Sequence, residues 1–270
     1  MQLQALLAQA ELTDLVFNGT SCFGLKDAVW RRIPNELTEA EVSRLAIELC
    51  ERGGRHIDLS TPFADVSVDG FRVHAVLAAG VAAKPLLSIR KHSQRTFEVS
   101  AELQEVVRSR QNFLVSGATG AGKTTLLRSM LAQLDDRVVT IEDVAELGFE
   151  KPNFVSLVAR QPNIEGRGAV SVEQLFREVL RMRPDRIILG EVRGAEFGVM
   201  LQALNTGHAG SAATLHSNSI EAVPQRLIGL GLLSGFEPAT TTALAKTAIE
   251  LVIHLSPGSI KIAKLGDLLE

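Results

Sequence analysis

The chain has 270 residues, 46% of them hydrophobic and 22% charged, with a formal net charge of −3. That length accommodates one large domain or two smaller ones with a sizeable core, and the apolar content excludes a disordered chain. The slightly acidic balance argues against a protein that coats nucleic acid, while leaving a local basic face open.

The opening segment, MQLQALLAQAEL, has neither the basic start nor the long apolar stretch of a secretory leader. No run of about 18 apolar residues predicts a transmembrane helix, so the expectation is a cytoplasmic chain that reaches a membrane through partners. Cys22 and Cys50 lack metal-ligand spacing and read as small core residues.

In chain order, a short helix is predicted over Leu3–Leu12, then short strands at Leu15–Asn18, Leu25–Trp30 and Ile57–Leu59, split by turn residues such as Asn18-Gly19 and Gly53-Gly54. Thr38–Cys50 reads as an amphipathic helix. Thr38 and Glu41 form a capping box, and Val42, Leu45, Ala46 and Leu49 fall at helical spacing. Val66–Val68 and Phe71–Leu77 flank Asp69-Gly70, a hairpin signal, and Leu86–Ile89 is a further strand. These elements predict a small α+β domain with an antiparallel sheet, residues 1–92. The polar stretch Lys91–Thr96 reads as a linker.

From residue 93 to 270 helices and strands alternate, which predicts an α/β domain with a mostly parallel sheet. A helix lies within Phe97–Arg110. The strand Phe113–Val115 then runs into GATGAGKTT and a helix over Lys123–Leu134. Gly117, Gly122, Lys123 and Thr124 fit the P-loop pattern G-x-x-x-x-G-K-[ST]. Glycines let backbone N–H groups curl around phosphate oxygens, and the positive end of the next helix faces the same anion. Gly117, Ala118, Thr119, Gly120, Ala121, Gly122, Lys123, Thr124 and Thr125 are therefore the candidate nucleotide-binding residues, with Lys123 for the β- and γ-phosphates and Thr124 for Mg²⁺.

Strands over Arg137–Glu142 and Phe154–Arg160 follow. A helix over Ser171–Arg183 opens on a Ser171–Gln174 capping box. Next come a strand over Arg186–Val192, a helix over Ala195–Thr206 closed by Gly207, a strand over Ser211–Leu215 and a helix over Ser219–Leu232. Three clusters accompany the P-loop. TIEDVAEL places Glu142, Asp143 and Glu146 at a strand end, where carboxylates hold Mg²⁺ through water or orient an attacking water. RPDRIILGEVRG ends an apolar strand in Glu191, the position of an acid that polarises water, with Gly190 where an Asp is usual; a metal contact there falls to Glu191 or is missing. TGHAGSAATLH offers His208 and His216 as groups that could hydrogen-bond the γ-phosphate. Arg90, Arg160, Arg167, Arg181 and Arg183 are candidates for a guanidinium that reaches the phosphate from another domain or subunit, and the sequence does not choose among them.

GATGAGKTT, IEDVAEL, RMRPDRIILGEVRG and LNTGHAGSAATLHSNS, in that order, resemble the Walker A, Asp box, Walker B and His box of the secretion ATPase superfamily, which includes type II secretion, type IV pilus and VirB11-like type IV secretion motors. SIRKHS and ARQPNIEGRGAVSVEQLFREVLRMRPD most resemble the Tad/CpaF branch, which drives Flp pilus assembly. The resemblance implies a RecA-like ATPase domain preceded by a PAS-like N-terminal domain, assembly as a homohexamer, ATP and Mg²⁺ as ligands, and an inner-membrane platform protein as partner. It implies Arg90 reaching the nucleotide from the N-terminal side and His216 sensing the γ-phosphate. His box LHSNS stands where LHANS is more usual, the four-cysteine insert of type II secretion ATPases is missing, and little is expected beyond Ile253–Leu255. The function expected is an ATP-hydrolysing motor for Flp/Tad-type pilus assembly or secretion, working at the cytoplasmic membrane. Its rivals are a VirB11-like motor for conjugative transfer and a nucleotide-gated scaffold with negligible hydrolysis. A helicase is disfavoured, because an aromatic content of 4% without tyrosine leaves few stacking platforms, and no direct nucleic-acid binding is expected.

Overall fold

The computed structural model describes residues 12–27, 29–92, 96–163 and 165–270. The helix predicted over Leu3–Leu12 falls almost wholly outside these, as does the centre of the predicted linker. The chain divides into two compact units, Met1–Gln94 with Arg160–Ala169, and Arg95–Ala159 with Val170–Glu270.

Among the described residues, the first unit is one helix on an antiparallel sheet. Strands β1 (Asp14–Asn18), β2 (Ser21–Lys26), β3 (Val29–Ile33), β4 (Phe63–Val68), β5 (Phe71–Val76) and β6 (Leu86–Lys91) are ordered β3-β2-β1-β6-β5-β4. Helix α1 (Glu39–Arg52) starts at Thr38, whose side chain accepts from the Glu41 N–H while Glu41 caps Thr38 in return. Val42, Ala46, Leu49 and Cys50 turn inward onto Leu15, Phe17, Val66, Val73 and Ile89, forming the core of this unit. Both cysteines are buried, and burial pushes their thiols up to about 11. The β4–β5 hairpin turns at Asp69 and Gly70, with φ of 50° and 78°, the left-handed pair that a two-residue turn of this twist needs. Two expected strands differ. Leu25–Trp30 is broken by a turn at Asp27, φ 48°, and belongs to two strands. Ile57–Leu59 is not a strand, because Asp58 Oδ1 accepts from the N–H groups of Ser60 and Thr61 at 2.8 and 2.7 Å and bends the backbone.

The second unit has seven strands in the order β13-β12-β7-β11-β10-β8-β9, all parallel except β13. They are β7 (Phe113–Gly117), β8 (Val138–Glu142), β9 (Phe154–Val158), β10 (Arg186–Leu189), β11 (Ala212–His216), β12 (Leu251–Ser256) and β13 (Ser259–Lys264). The inner strands are buried on both faces, and successive residues go to opposite layers. Phe113 and Val115 pack with α2 (Ala101–Arg108) and α3 (Lys123–Leu131), whereas Leu114 packs with α4 (Val172–Val179), α5 (Glu196–Leu204), α6 (Val223–Leu233) and α7 (Pro238–Ala248). Ser171 and Gln174 form the expected capping box of α4. The helix ends earlier than expected, at Val179, and Arg183 takes φ 52°. The C-terminal region carries more than the sequence reading allowed. Helix α7, the β12–β13 hairpin and α8 (Leu265–Leu268) complete the unit, with β12 paired directly to the P-loop strand. No helix among the described residues is long and apolar enough to cross a membrane.

Helices α6 and α7 approach closely at Gly231 of α6, where a Cβ would lie 1.9 Å from Thr241 Oγ1 of α7. Gly231→Ala is expected to lower stability by about 1–3 kcal/mol despite the better helix propensity of alanine, because overpacking outweighs it. A lowered denaturant midpoint at unchanged slope checks this.

Candidate functional site: a phosphate loop and its acids

Strand β7 lies between β12 and β11, and its carboxyl end delivers the glycine loop to the edge where open α/β sheets bind ligands. Gly117, Gly120 and Gly122 have φ of 150°, 78° and 94°. A Cβ on Gly117 would sit 2.6 Å from the Leu255 carbonyl oxygen of β12, and one on Gly122 would sit 3.1 Å from the Phe97 ring. Glycine is therefore required at the ends of the loop by space as well as by dihedral angle. Ala118, Thr119 and Gly120 are exposed, and Ala121 is half-buried, with its N–H donating to Ala118 O at 3.2 Å. Helix α3 begins at Gly122 without a side-chain cap, so its first N–H groups are available to an anion. Thr124 and Thr125 lie half-buried in its first turn.

Lys123 is 6% exposed. Its ammonium donates to Gly117 O and Ala118 O, both at 3.0 Å, and lies 3.3 Å from His216 Nδ1. Burial lowers its pKa, against the opposing pull of Glu191 and Glu146. The loop thus folds its carbonyl oxygens around its own cation, and phosphate oxygens are the acceptors that would replace them.

His216 ends β11, level with Gly117 across the sheet. Its Nε2 lies 2.6 Å from Glu191 Oε1, within ion-pair distance but off hydrogen-bond alignment, and its Nδ1 lies 3.3 Å from Thr119 Oγ1. The neutral ring with its proton on Nε2 suits both sides, since Nδ1 then accepts from Lys123 and Thr119. Burial lowers the His216 pKa, which favours that neutral form over the attraction of Glu191. Glu191 Oε2 also accepts from Arg193 Nε at 2.7 Å and pairs with Arg193 Nη2. The groups Arg193, Glu191, His216 and Lys123 form one continuous chain.

Gly190 explains the missing Asp. A Cβ there would lie 2.8 Å from Glu142 Cγ, so the carboxylate of the neighbouring strand occupies the space a side chain at 190 would need. The glycine backbone is fixed by Thr214, whose hydroxyl donates to Gly190 O at 2.5 Å, and by Val192 N–H, which donates to Thr214 O at 2.9 Å. Glu142 is 4% exposed. Its Oε1 accepts from the N–H groups of Glu146 and Leu147 at 3.0 Å each, and its Oε2 is buried without a hydrogen-bond partner among the described residues. Burial pushes its pKa up to about 7, against the two backbone donors. Glu146 is half-buried, and its charge acts on Lys123.

No cluster of three or more His, Cys, Asp or Glu that could hold a metal ion occurs among the described residues. Mg²⁺ does not need one, because it binds through one or two protein oxygens together with substrate phosphates. The Thr124 hydroxyl, the orphaned Glu142 Oε2 and the Glu191 carboxylate are a donor set of the required hard-oxygen type.

Other expected site residues lie elsewhere. His208 is at the amino end of β11, the opposite edge of the sheet from the P-loop, with Nδ1 3.3 Å from Ala203 O. The chain enters a parallel strand at that edge, so two histidines eight residues apart are separated by the strand's length. Arg90 is the penultimate residue of β6 and pairs with Asp14, Nε to Oδ1 at 2.8 Å. Arg160 donates to Gly168 O at 2.7 Å, and the Arg167 N–H donates to Asn163 Oδ1 at 2.9 Å, both within the loop that belongs to the first unit. The sequence reading missed His254 of β12, 3% exposed, whose Nδ1 lies 2.9 Å from Ser116 Oγ immediately before the P-loop. The one signal was a histidine inside the apolar run LVIHL.

The type II/IV secretion system protein family matches residues 81–259 of this chain. The chain belongs to that family. A putative conjugal transfer protein of Mycobacterium tuberculosis is 42% identical over 240 residues, 81% of this chain and 68% of that one. Among solved structures, the pilus retraction motor PilT with bound ADP has a TM-score of 0.70 at 20% identity, over 99% of this chain and 84% of that one. The VirB11 ATPase of the Brucella suis type IV secretion system has a TM-score of 0.53 at 23% identity, over 97% and 95%. These likenesses show the fold: a RecA-like domain with a mostly parallel sheet, preceded by a small α+β domain.

In this member of the family the Glu142 carboxyl, raised in the folded state, contributes stability that is full below its unfolded pKa of 4.5 and fades as pH rises towards about 7. Glu142→Gln is expected to abolish that decline and to be the more stable form at pH 8, by about 2–3 kcal/mol. Denaturant midpoints at pH 5 and pH 8 for both proteins check it.

Proposed function

We propose that this chain is a Mg²⁺-dependent ATPase, the hexameric motor of a Flp/Tad-type pilus or secretion system at the cytoplasmic face of a membrane. One observation carries the reading: Lys123 of the phosphate loop and Glu191, just past the end of β10, lie on either side of a single imidazole, His216, which ends the strand β11 between β7 and β10.

Each residue then has a role its position permits. The Lys123 ammonium exchanges the carbonyls of Gly117 and Ala118 for β- and γ-phosphate oxygens, and the N–H groups from Gly117 to Thr125 line the same anion. The Thr124 hydroxyl holds Mg²⁺, which when bound neutralises charge on the phosphates. Glu191 Oε1, which lacks an aligned donor, accepts the proton of the attacking water. Glu142, at the end of β8, and Glu146, in the loop after it, support it. His216 Nδ1 loses Lys123 as donor when the ammonium turns to phosphate, so the histidine registers the occupant. Arg90, Arg160 and Arg167, all in the first unit, are the candidates to reach a neighbouring protomer's nucleotide. The ring works with an inner-membrane platform protein. The SIRKHS and QPNIEGRG segments support the Tad/CpaF branch. A second reading, a VirB11-like motor for conjugative transfer, is favoured by the relative named as a putative conjugal transfer protein. Deleting the gene and scoring surface pili against DNA transfer to a recipient separates the two.

ATP turnover measured across a protein concentration series, with the mass determined at each point, tests the motor. Turnover is expected to rise with a hexamer-sized species, and Glu191→Gln is expected to lower kcat by about 10²–10⁴-fold while ATP still binds. ATP binding without turnover at every concentration would point to the nucleotide-gated scaffold. Lys123→Ala is expected to abolish binding measured by calorimetry.

A further inference from the structure

Strand β3 closes one end of the first unit's sheet, and it is dressed unlike the other strands. Val29 and Trp30 are 52% and 50% exposed, and Arg31 and Arg32 are exposed beside them. Four side chains in a row thus face solvent on both sides of the strand. Trp30 stands opposite Leu25 and Arg32 opposite Phe23, so an aromatic and a cation share one face with partly buried apolar residues of β2.

The charges around this strand are unevenly satisfied. Elsewhere in the unit, Arg52 pairs with Asp69, Arg72 with Asp65, Lys84 with Glu39 and Arg90 with Asp14. Neither Arg31 nor Arg32 has a hydrogen-bonding or ionic partner among the described residues. The nearest acids in sequence are Asp27, in the β2–β3 turn next to Lys26, and Glu36, exposed four residues beyond Arg32 and past the end of the strand, so the three cations Lys26, Arg31 and Arg32 outnumber them. The patch is therefore cationic and apolar at once within a chain whose net charge is −3.

We propose that β3 is a contact for an anionic lipid surface, with Trp30 and Val29 seated at the headgroup boundary and Arg31 and Arg32 on lipid phosphates. Tryptophan favours that boundary because its ring is apolar and its N–H is not, and arginine can rest its stem on the acyl region while its head stays on phosphate. Pairing with a second copy through the same edge is disfavoured, since antiparallel addition would bring arginines together. The assignment is independent of the ATPase reading, because it uses no residue of the nucleotide site.

Trp30 is the only tryptophan and the chain has no tyrosine, so the intrinsic emission of the full protein reports on this strand alone. The experiment adds vesicles of phosphatidylglycerol and phosphatidylcholine in equal amounts, or of phosphatidylcholine alone, and follows Trp30 emission, its quenching by brominated lipid, and co-flotation. A blue shift and quenching with the anionic vesicles only, weakened by salt, are expected. Each arginine near an anionic surface contributes about fivefold, so R31Q/R32Q should weaken partitioning by about 25-fold. W30F should retain flotation, and both variants should keep the parent's denaturant midpoint. No shift with either vesicle, or flotation that R31Q/R32Q leaves unchanged, overturns the proposal. So does a shift given by polyglutamate but not by vesicles, which would assign the patch to an acidic protein segment. A shift that follows protein concentration without lipid would assign it to contact between copies and overturn it equally.

Discussion

A lysine ammonium buried at the end of a central strand has to be surrounded by oxygen, and much of the second unit follows from how Lys123 achieves this. Its acceptors are the carbonyl groups of Gly117 and Ala118, which turn inward only because Gly117 takes φ 150° and presents no Cβ to the Leu255 backbone. That close approach exists because β12 pairs in parallel with β7. On the other side β11 ends level with Gly117 and delivers His216 to the ammonium. Two neighbouring strands thus shape one phosphate loop, and the loop in turn keeps a cation where burial alone would disfavour it.

The acids around this cation are set in contrasting surroundings. Glu191 faces positive or hydrogen-bearing groups, Arg193 and His216. Glu142 has two backbone donors on one oxygen and none among the described residues on the other, and burial pushes its carboxyl up to about 7. Gly190 is the steric condition for the arrangement, since any side chain there would displace Glu142.

The first unit has a different economy. Helix α1 covers one face of its antiparallel sheet, and the other face carries charges mostly neutralised in pairs across neighbouring strands. Such a unit is held by one modest core, so its edges are available for contacts that the core does not need. The fourteen-residue helix with a complete capping box gives that core a fixed floor.

What local chemistry dictates is legible in the order of residues alone. Glycine spacing, the apolar run of β10, the capping boxes at Thr38 and Ser171 and the Asp69-Gly70 turn are each specified within a few residues, and each formed as read. Errors arose where a local cue competes with another: Asp58 captures backbone N–H groups and cancels a strand, and Asp27 breaks one. Which distant residues meet depends on the folded sheet. His208 and His216 look equivalent in sequence, yet a parallel strand carries them to opposite edges of the sheet. His254 lies 138 residues from Ser116, and no local pattern tells that β12 will slot beside the P-loop strand. Gly190 reads as a defect in a motif until Glu142, from a strand 48 residues earlier, is seen to occupy its space. Contacts of that range are set by sheet order, which depends on the summed burial of many side chains rather than on any one segment.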